Sequence, residues 1–445
     1  MKINRYILIF VLCTWSLCTW SQDYPRLGER TIMGTARYVG MGGAMTAVGG
    51  DPSAALDNPA GLGLYRHHEV LLTLDDAIDN TTQRVTNLKG RTNLFMAPQA
   101  SIVIHLPTGA VDGVGVQAHN FLFSYHRVQS YNRFYYVEGT EGIPSLGELF
   151  ASTGKDIGIP YCTERTNASH WMNLREWGYV NEYTFDWAMN IAHKWYVGLG
   201  LRIHSFSFNG EAEYEESFAV YNAQQKAMYN NNLTTLLFNG AGVSFAAGLI
   251  YRPLSWLRLG VGIETPSVGK IRRGTNGDLE ALTDSVRHSG YVTSDEFSDF
   301  HQPLHLSTSV AFQVNYYAMI ALQYDYRHQS KALDNHSLRM GVEVIPVPGL
   351  YINAGYAFES AFSRKNNVQH VDPTLHRQDV YFQRVRWSQY VSGGIGYRGK
   401  YFTAQLAYQY RWQHMHLYAH ENAVSNPYDL NTATHRIVLT LGWRR

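Results

Sequence analysis

Charge is scarce in this 445-residue chain: Asp, Glu, Lys and Arg make up 16% of it, against roughly 25% in an average soluble domain. The formal net charge is only +1, so there is no basic footprint and no nucleic-acid partner is expected. Also missing is any set of apolar runs of about 20 residues, which excludes a bundle of membrane-spanning helices. Cysteine is almost absent. Of the three, Cys13 and Cys18 fall at the extreme N-terminus and Cys162 stands alone, so an intramolecular disulfide framework or a Cys-only zinc site is excluded. The fold must hold through its ladders and packing.

What leads the chain is Lys2 and Arg5, an apolar run from Tyr6 to about Trp20, and then Thr19 and Ser21 ahead of Gln22. That order reads as a cleaved signal peptide over residues 1–21. Leu12 and Leu17 stand where a lipobox before Cys13 or Cys18 needs a small residue, so a lipoprotein is not expected. Cleavage removes two cations and no acid and takes the formal charge from +1 to −1.

Aromatics and glycine are abundant, with 31 Tyr and 39 Gly. The aromatics recur in segments of about ten residues with strict period-2 alternation, the length a tilted strand needs to cross a bilayer. Near the end, Phe402, Ala404, Leu406, Tyr408, Tyr410 and Trp412 share one face, while Thr403, Gln405, Ala407, Gln409, Arg411 and Gln413 share the other. Leu257, Leu259, Val261 and Ile263 oppose Arg258, Gly260, Gly262 and Glu264 in the same way. A secreted multi-sheet protein would also alternate, but its apolar face would be aliphatic and not girdled by Tyr and Trp.

The expected fold class is therefore all-β, a transmembrane antiparallel barrel of about fourteen strands. The segments are 68–79, 96–107, 111–128, 182–194, 195–210, 238–253, 256–270, 303–314, 316–329, 336–346, 350–362, 388–399, 401–416 and 435–444; a count of twelve or sixteen is the alternative. Tight turns such as Pro348-Gly349 alternate with long polar stretches at 129–181 and 271–302, expected as periplasmic turns and extracellular loops respectively. The last segment ends on Trp443, like the terminal strand that outer-membrane assembly machinery recognises, although Arg444 and Arg445 follow it.

Residues 22–67 show no such period and are rich in small residues, a composition that suits a compact plug inside a lumen. Gly40-Met41-Gly42-Gly43-Ala44, Gly49-Gly50-Asp51 and Asn58-Pro59-Ala60 resemble the FadL/TodX family of outer-membrane transporters for long-chain fatty acids and hydrocarbons, in a Bacteroidetes-like form. The resemblance is specific over this segment and architectural elsewhere. It implies an N-terminal hatch, with Gly40, Gly42, Gly43, Asn58, Pro59 and Ala60 as its motif, inside a barrel of residues 68–445. It also implies a bacterial outer-membrane location, a hydrophobic small molecule as partner and passive transport with sideways release into membrane lipid. A monomer is expected. Barrels of the type IX secretion apparatus resemble the same family and would bind cargo proteins instead, and a hemin-binding receptor is a further alternative.

A nucleotide site at Gly40-Met41-Gly42 fails because Met45 stands where the third glycine of G-x-G-x-x-G belongs and no βαβ context follows. No G-x-S-x-G is present, so the chain is not expected to be an enzyme, and no cofactor is expected. Among nineteen histidines, His414 and His416 share the outward face just beyond Trp412 and so could reach one metal, but such residues more often sit at the headgroup level, and no metal is expected. Inward arginines and carboxylates are expected mainly as ion pairs between hatch and wall. Arg202 and Arg411 are candidates for a ligand carboxylate. Phe206 and Phe208 continue the inward phase of their strand and are candidates to line an apolar pocket, unless a register shift turns them to lipid.

The third segment breaks its own rule. With Val114, Val116 and Ala118 outward, Asn120 would enter lipid and Phe121, Phe123 and Tyr125 would enter the lumen. A bulge near His119 and Asn120 would insert one residue and flip the phase, turning Phe121, Phe123 and Tyr125 to lipid and Leu122, Ser124 and His126 inward. The resembled family opens a lateral gap at its kinked third strand, which makes Gly113, Gly115, His119 and Asn120 the expected exit strand.

Overall fold

The computed structural model describes residues 30–84, 86–139, 165–220, 225–283, 287–315, 317–329, 333–360, 382–418 and 428–445. The expected signal peptide and Cys162 lie outside the described residues. Sixteen strands are present among them: β1 (Glu69–Gln83), β2 (Lys89–Pro107), β3 (Val116–Gly139), β4 (Arg165–Ile191), β5 (Trp195–Val220), β6 (Gln225–Leu254), β7 (Leu257–Glu264), β8 (Val268–Thr283), β9 (Arg287–Phe300), β10 (Leu304–Asn315), β11 (Ala318–Gln329), β12 (Leu333–Val347), β13 (Leu350–Ser360), β14 (Phe382–Arg398), β15 (Phe402–Tyr418) and β16 (Tyr428–Arg444).

Fourteen of them close into one antiparallel ring. Each strand from β1 to β7 pairs with the next, β7 pairs with β10, the order continues to β16, and β16 returns to β1. Strands β8 and β9 form a hairpin outside this ring. β6 is shared: Ala246–Tyr251 pairs with β7, and Ala227–Val243 pairs with β8.

The alternation read from the sequence is the wall itself. On β15, Phe402, Leu406, Tyr408 and Trp412 are exposed, while Thr403, Gln405, Gln409, Arg411 and Gln413 are buried. Exposed aromatics and aliphatics with buried polar groups invert the pattern of a water-soluble sheet. The arrangement is favourable only where the outward face meets hydrocarbon.

Two expectations need correction. The segment 256–270 is two strands, because Thr265-Pro266-Ser267 separates β7 from β8 and proline cannot donate to a central ladder. The stretches 129–181 and 271–302 are not loops over their described parts. β3 runs on to Gly139, β4 starts at Arg165, and β8 and β9 fill 268–300. In these extensions the outward face meets water and the inward face mixes apolar roof residues with polar ones such as Gln129 and Arg133, so the lipid-imposed alternation disappears and the sequence reads as loop.

Candidate functional site

Residues 30–65 lie inside the ring and are buried almost throughout. Helix α1 (Ala36–Gly40) starts at Thr35, whose side chain accepts from Tyr38 N and donates to Asp51. Burial raises the Asp51 carboxyl even with Arg37 nearby. A short 3-10 turn, Pro59–Leu64, starts at Asn58: its Oδ1 accepts from Ala60 N, and its Nδ2 donates to Thr46 O at 2.9 Å and to Leu249 O of β6 at 3.3 Å. Asn58 and Pro59 thus cap the turn and fasten it to the wall, while Gly42 and Gly43 hold φ of +63° and +74°, values that favour glycine.

The wall is shaped to this segment. A Cβ at Gly260 would come within 2.7 Å of Thr46 O, and one at Gly341 within 2.6 Å of Met41 O. At Gly198 it would overlap the Pro59–Ala60 backbone, at Gly248 the Asn58 side chain, at Gly262 Asp57 O and at Gly355 the Gly42 backbone. Inward glycines therefore let two backbones touch.

Buried ion pairs complete the contact. Arg37 reaches Glu343 through Nε at 2.7 Å and Nη2 at 2.8 Å, a bidentate fork. Asp57 accepts from Tyr38 Oη at 2.8 Å and from Arg339 at 3.2 Å, and Arg339 also meets Asp325 at 3.1 Å. Arg30 bridges Glu182 at 2.9 Å and Glu264 at 3.0 Å. Asp57, Arg30 and Tyr38 escaped the sequence reading; Asp57 stands directly before the Asn-Pro-Ala motif, the one signal that pointed to it.

The expected ligand residues separate. Arg202 is fully buried between Glu182 and Asp186 of the wall and donates to Ala55 O of the inner segment at 2.8 Å, so its guanidinium is already satisfied by protein groups. Phe206 and Phe208 do face inward, in an apolar cluster with Leu56, Val128, Tyr131 and Ile271; Phe208 and Tyr131 meet edge to face with centroids 5.0 Å apart. Arg411 lines a cavity together with Thr31, Leu94, Met96, Arg133 and Arg436.

The exit strand departs most from expectation. The one-residue bulge is present but two residues earlier than His119, between Val116 and Ala118, and register runs unbroken through His119↔Met189 and Asn120↔Ala188. Ala118, Asn120, Leu122, Ser124 and His126 are all buried on one phase. Asn120 donates to Leu62 O of the inner segment, whereas His119 stacks on Trp187. Gly113 and Gly115 belong to the β2–β3 turn at φ of +76° and +71°. Gln117 is the extra residue, and it flips the phase as the sequence requires: Phe123 is exposed while Leu122, Ser124 and His126 are buried.

Irregularity sits higher. On β2, Thr73↔Gln99 is followed by Asp75↔Met96, so the Ala97-Pro98 step carries one extra residue. On β3, Arg127↔Asn181 is followed by Gln129↔Val180, so Val128 is extra. The β2–β3 register runs from Pro107↔Ala118 only to Gln99↔His126. Beyond it the strands are joined by side chains, with Thr92 Oγ1 donating to Asn132 O at 2.8 Å and Asn132 Nδ2 to Asn93 O at 3.1 Å. Thr31 docks on this seam, its N–H donating to Val128 O at 3.0 Å. The Arg411 cavity lies against it.

Two further features bound the lumen. Over the short β1–β2 hairpin, Tyr135, Val137, Met172, Leu174, Tyr214, Met415, Leu417, Tyr428 and Leu430 from the tall strands pack into an apolar roof. At the short-turn end a cavity of about 200 Å³ is lined by Tyr65, Arg66, His67, Glu69, Arg398 and Arg444. Burial, followed by the charge of Arg444, lowers the His67 pKa.

No family model and no curated protein matches the chain. Solved structures do. A FadL homologue of Pseudomonas aeruginosa is 12% identical at a TM-score of 0.56, covering 94% of this chain and 99% of that one. The Ralstonia pickettii toluene transporter TbuX is 14% identical at 0.53, over 93% and 98%. The Pseudomonas putida toluene transporter TodX is 14% identical at 0.54, over 94% and 99%. The chain thus has the fourteen-stranded barrel fold of the FadL/TodX transporters.

Proposed function

We propose that this chain is an outer-membrane transporter of the FadL/TodX type, which lets an apolar small molecule descend its gradient from outside into the membrane. The short turns then face the periplasm and the tall strands the exterior, and residues 30–65 act as the hatch. The seam between β2 and β3 carries this reading. Among the described residues the buried inner segment occupies the lumen, and the seam is a stretch of wall where backbone pairing gives way to side-chain bonds beside a cavity. Sideways release occurs there, above Gln99 and His126, and not at Gly113 to Asn120. Likeness in fold to hydrocarbon transporters supports the substrate class.

Deleting Pro98 removes the extra residue, lets the β2 phase run straight and continues the backbone ladder. Uptake of a long-chain fatty acid or toluene by cells carrying this variant should fall to the level of cells lacking the protein, with the barrel still folded by its unheated electrophoretic mobility. Normal uptake through a folded variant would overturn the exit route.

A further inference from the structure

Just beyond the belt residue Trp412, the outer face of β15 and β16 gathers two imidazoles and a carboxylate. His414 and His416 are two residues apart on one strand and so share a face, and their register partners are Asn431 and Asp429. Ligating atoms of His414, His416 and Asp429 all lie within 4.8 Å of one another. The two rings stand edge to face with centroids 5.5 Å apart, and His416 Nε2 is 2.9 Å from Asp429 Oδ1.

The arrangement has the orienting contact that metal-binding histidines carry. His414 Nδ1 is 3.0 Å from Asn431 Oδ1, so Nδ1–H donates and Nε2 keeps its lone pair. Trp387 packs on the same ring with centroids 6.0 Å apart, which limits its rotation. Opposing this is Arg386, whose Nη1 lies 3.4 Å from His416 Nε2. That contact and the one to Asp429 are what a cation at Nε2 would replace.

We propose that His414, His416 and Asp429 bind one divalent cation of the imidazole-preferring class, zinc, cobalt, nickel or copper, with water completing the shell. Two imidazoles with one carboxylate suit these ions, whereas calcium and magnesium want oxygen alone. The sequence expectation of no metal is revised accordingly. The site also has a mechanical consequence. Met415 and Leu417 on β15, and Tyr428 and Leu430 on β16, point the other way into the apolar roof. A bound cation ties the two strands together from outside and stiffens the roof from behind.

Full-length protein in detergent, freed of metal by a chelator, is titrated with zinc chloride by calorimetry and with cobalt by visible absorption. One zinc per chain should bind, and cobalt should show the intense bands of a four-coordinate nitrogen and oxygen site. His414→Ala and His416→Ala should each weaken zinc at least about tenfold, as should Asn431→Ala, which removes only the orienting bond. The near-isosteric Asp429→Asn should weaken zinc while keeping the fold. His336→Ala, distant and bonded to Tyr324, should change nothing. Zinc stoichiometry and affinity preserved in the His414→Ala/His416→Ala double variant, or in Asp429→Asn, would overturn the site, as would a six-coordinate cobalt spectrum in the wild type.

Discussion

The lumen is closed at two levels by opposite chemistry. Below, residues 30–65 meet the wall through backbone pressed on glycine and through buried ion pairs such as Arg37–Glu343. Above, the roof is side chain on side chain, with Tyr135, Met172, Leu174 and Leu417 and no charged member. Directional contacts fail when displaced by an ångström, because a buried charge left alone costs several kcal/mol. An apolar cluster loses only contact area and accommodates another apolar body in exchange. The lower closure is therefore built to stay and the upper one to part around an apolar guest.

The sharpest way to break this contrast is Gly355→Val. Its Cβ would overlap the Gly42 backbone, which cannot swing aside as a side chain can, so the inner segment should be expelled. Limited proteolysis should then cut within residues 30–65, while Gly393→Ala, with the nearest atom of another residue 3.6 Å away, should remain protected. Next in size is Glu343→Gln, which leaves Arg37 buried without its charge partner and should cost about 3–5 kcal/mol in denaturant unfolding. Arg37→Met/Glu343→Met together should recover much of that.

At the roof, Leu417→Ala should cost about 2–3 kcal/mol as a core truncation, with proteolysis of residues 30–65 unchanged and fatty-acid uptake faster. Slower uptake would contradict a roof that parts. Smallest is Thr35→Ala. Loss of the α1 cap and its bond to Asp51 should cost about 1 kcal/mol, visible as a lower urea midpoint with the inner segment still protected.

The ring was legible wherever lipid imposes a period: β15 and β7 announce both faces residue by residue. The tall extensions were not, since β3 beyond His126 and β9 lack a continuous outward apolar stripe. Inside, types were legible and partners were not. Gly260, Gly262 and Gly341 could be placed on the inward face, yet nothing in their spacing said that Thr46, Asp57 and Met41 would lie against them. The seam carries its own mark in the sequence. Pro98 lies within an otherwise regular strand, and proline there marks a bulge or an edge.

Contacts of residues 30–65 run nearly around the wall, from Asn120 on β3 through Gly198, Gly248 and Gly262 to Ser392 on β14, Gln405 on β15 and Thr440 on β16. This has a bearing on the order of assembly. A body gripped from every side by overlapping backbones cannot be threaded into a finished cylinder, because each glycine dent must be entered sideways. The strands must gather around the segment, and the β1–β16 pairing that makes the last join must shut behind it. The plug is then a mandrel around which the cylinder is drawn up, seated before the last join is made.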